Sequence, residues 1–175
     1  MNNLSLLMPS SSKMIQFLFL FCLTLAAEPP SDKQELKLVR GGCPLSWFSF
    51  GGRCYKYFGS RKTWGEAELL CVSKGGNLVS IHSQEEYDFV NLLINRFDPT
   101  QRYTWIGLTD FHREGGWIWS DGSKYRFSIW SKGQPDNCLG NEHCVHTNFG
   151  NQYYWNDHIC SGRFAFVCAS RTVCP

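Results

Sequence analysis

Positive charge is scarce and scattered: 17 Lys and Arg against 15 Asp and Glu leave a formal net charge of +2 over 175 residues. Phosphate backbones and anionic membranes are bound through clustered cations, so no dedicated nucleic-acid or polybasic membrane surface is expected. The chain also lacks G-x-S-x-G, H-E-x-x-H and a glycine-rich phosphate loop. Those absences remove the common motif-borne hydrolase, metalloprotease and nucleotide chemistries, and the chain reads as a non-enzyme. No C-x-x-C pair suggests a zinc ribbon or a redox couple. A long polar tail is missing too, and with 43% hydrophobic and 15% aromatic residues the composition is that of one folded domain.

Long apolar runs are limited to one. Residues 15–27, interrupted only by Gln16, Cys22 and Thr24, follow Lys13 and end in Ala26 and Ala27. Thirteen residues fall short of the roughly 20 that a spanning helix needs, so residues 1–27 read as a secretory signal peptide. Met14 directly precedes the run, which leaves Met1 and Met14 both available as the start. Residues 28–42 are polar and proline-containing at first and end in Arg40-Gly41-Gly42; they read as a propeptide or flexible leader outside the core. The domain proper is then 43–175, secreted and extracellular, with no membrane span.

Eight cysteines follow the signal: Cys43, Cys54, Cys71, Cys138, Cys144, Cys160, Cys168 and Cys174. An exported chain of this kind is expected to pair them as disulfides. Counting alone leaves 105 connectivities open.

The first half carries helix signals. Thr63-Trp64-Gly65-Glu66 opens one segment, with Leu69, Leu70 and Cys71 as its apolar stripe and Gly75-Gly76 as its stop. Ser83-Gln84-Glu85-Glu86 opens a second, followed by Phe89, Val90, Leu92, Leu93 and Ile94. Both have the spacing in which a hydroxyl and a carboxylate satisfy free amides reciprocally. After Asp98-Pro99 the pattern changes to short aromatic and β-branched runs at 103–108, 116–119, 144–148, 153–155 and 164–167. Helices first and strands later predict an α+β domain. A Gly, Asn and Pro-rich stretch between Asp121 and Cys144 is too long for a routine connection and marks a functional loop.

Inside and after that loop stand Gln134-Pro135-Asp136, Asn141-Glu142-His143-Cys144 and Trp155-Asn156-Asp157. The side chains of Gln134, Asp136, Glu142, Asn156 and Asp157 all offer oxygen. That hard-donor set suits Ca²⁺, which takes six to eight oxygens, better than zinc, which favours nitrogen and sulfur. His143 and His146 flank Cys144 and Val145, a spacing read as strand alternation around a disulfide and not as a zinc pair.

In their order these motifs, with Cys43-Pro44, Trp47, Cys54-Tyr55, Trp105-Ile106-Gly107-Leu108, Trp119-Ser120-Asp121-Gly122, Trp130 and Phe166-Val167-Cys168, resemble the C-type lectin domain over residues 43–169. The leader and compactness are similar to those of short secreted lectins of fish and venoms and to type II antifreeze proteins. The resemblance implies a double-loop fold of two helices, small antiparallel sheets and a long calcium-binding loop. It implies disulfides Cys43–Cys54, Cys71–Cys168 and Cys144–Cys160, with Cys138 and Cys174 left over and at least one of them bridging to a second copy. Trp105 to Leu108 and Trp119 would be core.

Carried over by position, Gln134, Asp136, Glu142, Asn156 and Asp157 would hold both Ca²⁺ and two vicinal sugar hydroxyls, with Pro135 cis. Family members with Gln-Pro-Asp favour galactose-type diols and those with Glu-Pro-Asn favour mannose-type, so terminal galactose or N-acetylgalactosamine on cell or microbial surfaces is the expected ligand. The role implied is agglutination or innate recognition. Asp110, Glu114, Asn137 and Glu142 fall where some relatives bind an auxiliary Ca²⁺, although His143 stands where they carry an acid. Strong galactose binders also place an aromatic ring soon after Gln-Pro-Asp; here Asn137, Cys138 and Leu139 follow, with Tyr153 or Tyr154 as substitutes. An ice-binding protein or a sugar-independent lectin-like protein ligand on the same scaffold are the alternatives.

Overall fold

Eight strands and two α-helices make up residues 35–171, the part that the computed structural model describes. The signal peptide, the start of the 28–42 leader and Cys174 lie outside the described residues. Strand β1 (Phe48–Phe50) and β2 (Arg53–Lys62) form a hairpin, followed by α1 (Trp64–Ser73), β3 (Asn77–Leu78) and α2 (Gln84–Phe97). Then come β4 (Thr104–Thr109), β5 (Ile118–Trp119), a 3₁₀ turn at Cys138–Gly140, β6 (Cys144–Phe149), β7 (Tyr154–His158) and β8 (Phe164–Arg171).

The strands run in the order β1-β2-β8-β4-β6-β7, with β3 on β8 and β5 on β4. Every pairing is antiparallel except β4 with β8, which joins the antiparallel pairs into one eight-stranded sheet. The expected α+β architecture is present. The β1–β2 hairpin had no counterpart in the sequence reading, because Arg53, Lys56, Gly59, Ser60, Arg61 and Lys62 break the apolar pattern of β2.

Both helix starts are where the capping residues put them. At α1 the Thr63 hydroxyl accepts from the Glu66 N–H at 3.3 Å and the Glu66 carboxylate accepts from the Thr63 N–H at 3.1 Å. At α2 only half of that exchange forms: Ser83 caps the Glu86 N–H, but Glu86 takes the His82 N–H at 2.7 Å instead of that of Ser83. Its other oxygen binds Arg53 at 2.7 Å and the Tyr55 hydroxyl, so the carboxylate ties α2 to β2. The α1 stripe also differs from expectation. Ala67 and Cys71 face the core while Leu69 is 72% exposed, since the Cys71–Cys168 bridge fixes which side turns inward.

Trp105, Ile106, Leu108 and Trp119 are buried as expected, and Trp119 meets Trp155 edge-on at 5.7 Å. Gly107 sits between them because a Cβ there would come within 2.6 Å of the Leu78 carbonyl. The end of the leader departs from the picture of a flexible segment: Leu36 and Leu38 pack on the core, and Val39 bridges Ser49. Two leucines at alternate positions suffice to fasten it. All three expected disulfides are formed, with Cα separations of 5.6, 5.4 and 5.1 Å.

Candidate metal centre

The long segment between β5 and β6 is fastened to β7. Trp130 bridges Trp155, the Ser131 N–H donates to the Trp155 carbonyl at 2.9 Å, and the Trp155 N–H donates to Ile129 at 3.0 Å. Residues 134–142 therefore lie beside the strand that carries Asn156 and Asp157. The Gln134–Pro135 peptide is cis. Asn137 and Leu139 have positive φ, 43° and 60°; asparagine tolerates that region, leucine rarely does.

Asp157 organises this turn from below. Its carboxylate is buried and accepts the Asp136 N–H at 3.2 Å through Oδ1 and the Asn137 N–H at 2.8 Å through Oδ2. Glu142 closes the other side, accepting the Cys138 N–H at 3.0 Å, while its own N–H donates to Asn137 Oδ1 at 3.0 Å. The result is a cluster in which Asp136, Glu142 and Asp157 each place a carboxylate oxygen within 4.8 Å of the others. Among the described residues no Lys or Arg forms an ion pair with any of the three; only His158 approaches, 3.4 Å from Glu142. Burial, and then the Asp157 charge, push the Glu142 pKa above the ordinary carboxylate range.

Three close carboxylates without a fixed cation repel one another, and a divalent ion would relieve that repulsion. Gln134 adds a second sign. Its Oε1 is enclosed and has no hydrogen-bond donor among the described residues, a costly state for a carbonyl oxygen unless a cation takes the lone pair. These donors fit an oxygen-ligated metal such as Ca²⁺.

Asn156 is buried, and its amide is set from behind by His146. The Thr147 carbonyl can only accept, so at 3.0 Å from His146 Nδ1 it fixes the proton on that nitrogen. Nε2 is then the acceptor for Asn156 Nδ2 at 3.3 Å, and Nδ2 also donates to the Asp157 carbonyl. With the NH₂ end held by two acceptors, Oδ1 is the end left for an ion. Burial pushes the His146 pKa down to about 4, so the ring stays neutral and keeps its acceptor. Tyr103 stacks on it at 4.3 Å. Sequence reading missed this role, taking His146 for one face of an alternating strand; in fact β6 is buried on both faces from Cys144 to Asn148.

The expected auxiliary set divides. Asp110 and Glu114 meet His143, while Asn137 Oδ1 is used by the Glu142 N–H and the Glu142 carboxylate lies with Asp136 and Asp157. Tyr154 begins β7, about 10 Å by strand rise before Asp157, and Tyr87 packs on its edge. Cys138 is an exposed free thiol beside Leu139, which is 98% exposed. A separate cleft of about 750 Å³, lined by Arg53, His82, Asp121 and Ser123 among others, shares no residue with either cluster.

Comparison with known proteins gives consistent likenesses. The family model of the Lectin C-type domain matches residues 60–170. The galactose-specific lectin nattectin of Thalassophryne nattereri is 43% identical over 127 residues, 73% of this chain and 79% of that one. The lactose-binding lectin l-2 of Anguilla japonica is 41% identical over 142 residues, covering 79% and 84%. The structure of herring type II antifreeze protein superposes with a TM-score of 0.69 at 35% identity, covering 74% of this chain and 98% of that one.

Proposed function

The chain belongs to the C-type lectin domain family, and on that premise we propose that it is a secreted, calcium-dependent lectin for terminal galactose or N-acetylgalactosamine. One observation carries the reading: among the described residues, the enclosed oxygen of Gln134 has no hydrogen-bond donor, and the three clustered carboxylates of Asp136, Glu142 and Asp157 have no Lys or Arg ion-pair partner. Calcium, when bound, supplies open coordination positions to hydroxyl oxygens. Gln134, Asp136, Glu142, Asn156 and Asp157 would hold it, with the Asp157 carboxylate also bracing the turn through the Asp136 and Asn137 amides. Carboxylate oxygens accept from a sugar hydroxyl and amide N–H groups donate to it, so the order of amide and acid around Pro135 decides which diol is matched. The galactose and lactose ligands in the names of two relatives support the galactose-type order found here.

The test is affinity chromatography on galactose- and mannose-agarose in calcium. The wild-type protein is expected on galactose, and Gln134→Glu with Asp136→Asn is expected to move retention to mannose. Galactose selectivity kept by that double variant would refute the assignment of specificity. Ice binding is the second reading, favoured by the likeness to the herring antifreeze protein; thermal hysteresis without sugar retention would select it. The exposed Cys138 is proposed to link two copies, adding valency to a weak single site. A non-reducing gel should then show a dimer that Cys138→Ser abolishes, whereas a monomer in the wild type removes the idea.

A further inference from the structure

We propose that Asp110, Glu114 and His143 form a second metal site, suited to Zn²⁺ or a similar borderline divalent cation and not to Ca²⁺. The inference is independent of the sugar-binding reading. Strand register builds the site: Thr109, the last residue of β4, pairs with Cys144, the first of β6, so Asp110 and His143 stand side by side at the strand ends. Two bonds lock the backbones, from the Asp110 N–H at 3.2 Å and the Thr109 hydroxyl at 2.6 Å to the His143 carbonyl.

From this frame the side chains converge. His143 Nδ1 lies 3.0 Å from Asp110 Oδ1 and 3.7 Å from Glu114 Oε2, and the three donors are within 4.8 Å of one another. Donors around a tetrahedral ion with bonds near 2.0–2.1 Å are about 3.3 Å apart, so the two measured separations bracket the required value. The second oxygen of Asp110 is fixed by the Gly115 N–H at 2.7 Å, the kind of outer bond that orients a ligating carboxylate.

Charge points the same way. The Asp110 side chain is wholly buried, yet among the described residues it has no Lys or Arg ion-pair partner: its two oxygens meet the Gly115 N–H and an imidazole that Glu114 also approaches. Buried carboxylates need a positive partner. The two carboxylates bring two negative charges, which one divalent ion would cancel. Ligand chemistry then selects the ion. Calcium takes six to eight oxygens, but the amide oxygen and carboxylate expected to complete such a shell, Asn137 and Glu142, are engaged elsewhere. Two carboxylates and one imidazole with a position open to water form a three-ligand zinc set.

Calorimetric titration of ZnCl₂ into the full-length, disulfide-intact secreted protein, in buffer holding millimolar Ca²⁺, tests the site. One equivalent of Zn²⁺ should bind, and His143→Gln and Glu114→Gln should each weaken it by about 10-fold or more. Glu114 is 58% exposed in its side chain, so its replacement leaves the fold intact; thermal unfolding in chelator checks this. Cobalt(II) added to the wild type should give the intense visible absorption of a four-coordinate site. Absence of Zn²⁺ uptake, uptake unchanged in both variants, displacement of the zinc by millimolar Ca²⁺, or a weak six-coordinate cobalt spectrum would each overturn the proposal. Galactose retention in calcium is read separately and bears only on the lectin reading.

Discussion

Asn156, a proposed metal ligand, shows how such a residue depends on one that no motif marks. Its amide can present oxygen to an ion only if the NH₂ end is held elsewhere, and His146 Nε2 provides that hold at 3.3 Å. Replacing His146 by Phe keeps a ring against Tyr103 and Phe164 but removes the acceptor. The expected result is a folded protein whose calcium affinity falls by about 5- to 30-fold, the equivalent of roughly 1–2 kcal/mol for one lost buried hydrogen bond. Calcium titration beside thermal unfolding in chelator checks it; affinity unchanged from wild type would show that the amide is oriented without the imidazole. The same scale separates the two clusters. Asp136, Glu142 and Asp157 offer oxygen alone, whereas His143 adds nitrogen to Asp110 and Glu114, and that one side chain changes which metal fits.

At the scale of elements, legibility followed locality. The starts of α1 and α2 were readable because Thr63 and Ser83 satisfy amides three residues away, within the same turn. The strands rich in aromatic and β-branched residues were readable for a similar reason. The β1–β2 hairpin was not, because β2 draws its stability from β8, more than a hundred residues downstream, and carries charged and polar residues beyond the short stretch that β1 pairs. Nor could the sequence reveal that Glu86 would leave the Ser83 amide for Arg53 and Tyr55, a choice made by tertiary packing. Within the site, the Gln134-Pro135-Asp136 turn and the Asn156-Asp157 pair were visible as motifs. The division of the acidic residues into two groups depended on the β4–β6 register, which no local pattern records.

For the whole molecule, the three disulfides and the pinned loop form one frame. Cys71–Cys168 spans 97 residues and joins α1 to β8, and by chain-entropy reasoning a closure of that length contributes about 4–5 kcal/mol. Cys144–Cys160 ties the start of β6 to the turn just after β7, and these two strands bear His146, Asn156 and Asp157. Rigidity there would serve the proposed recognition of a hydrated ligand, since donors already in place lose little freedom on binding. The central claim is that these donors recognise sugar only through a bound cation. Isothermal titration of galactose into the purified protein, first in chelator and then in saturating Ca²⁺, tests it most directly. The account predicts no heat in chelator and saturable binding once calcium is present; equal galactose binding in both, or none in either, would contradict it.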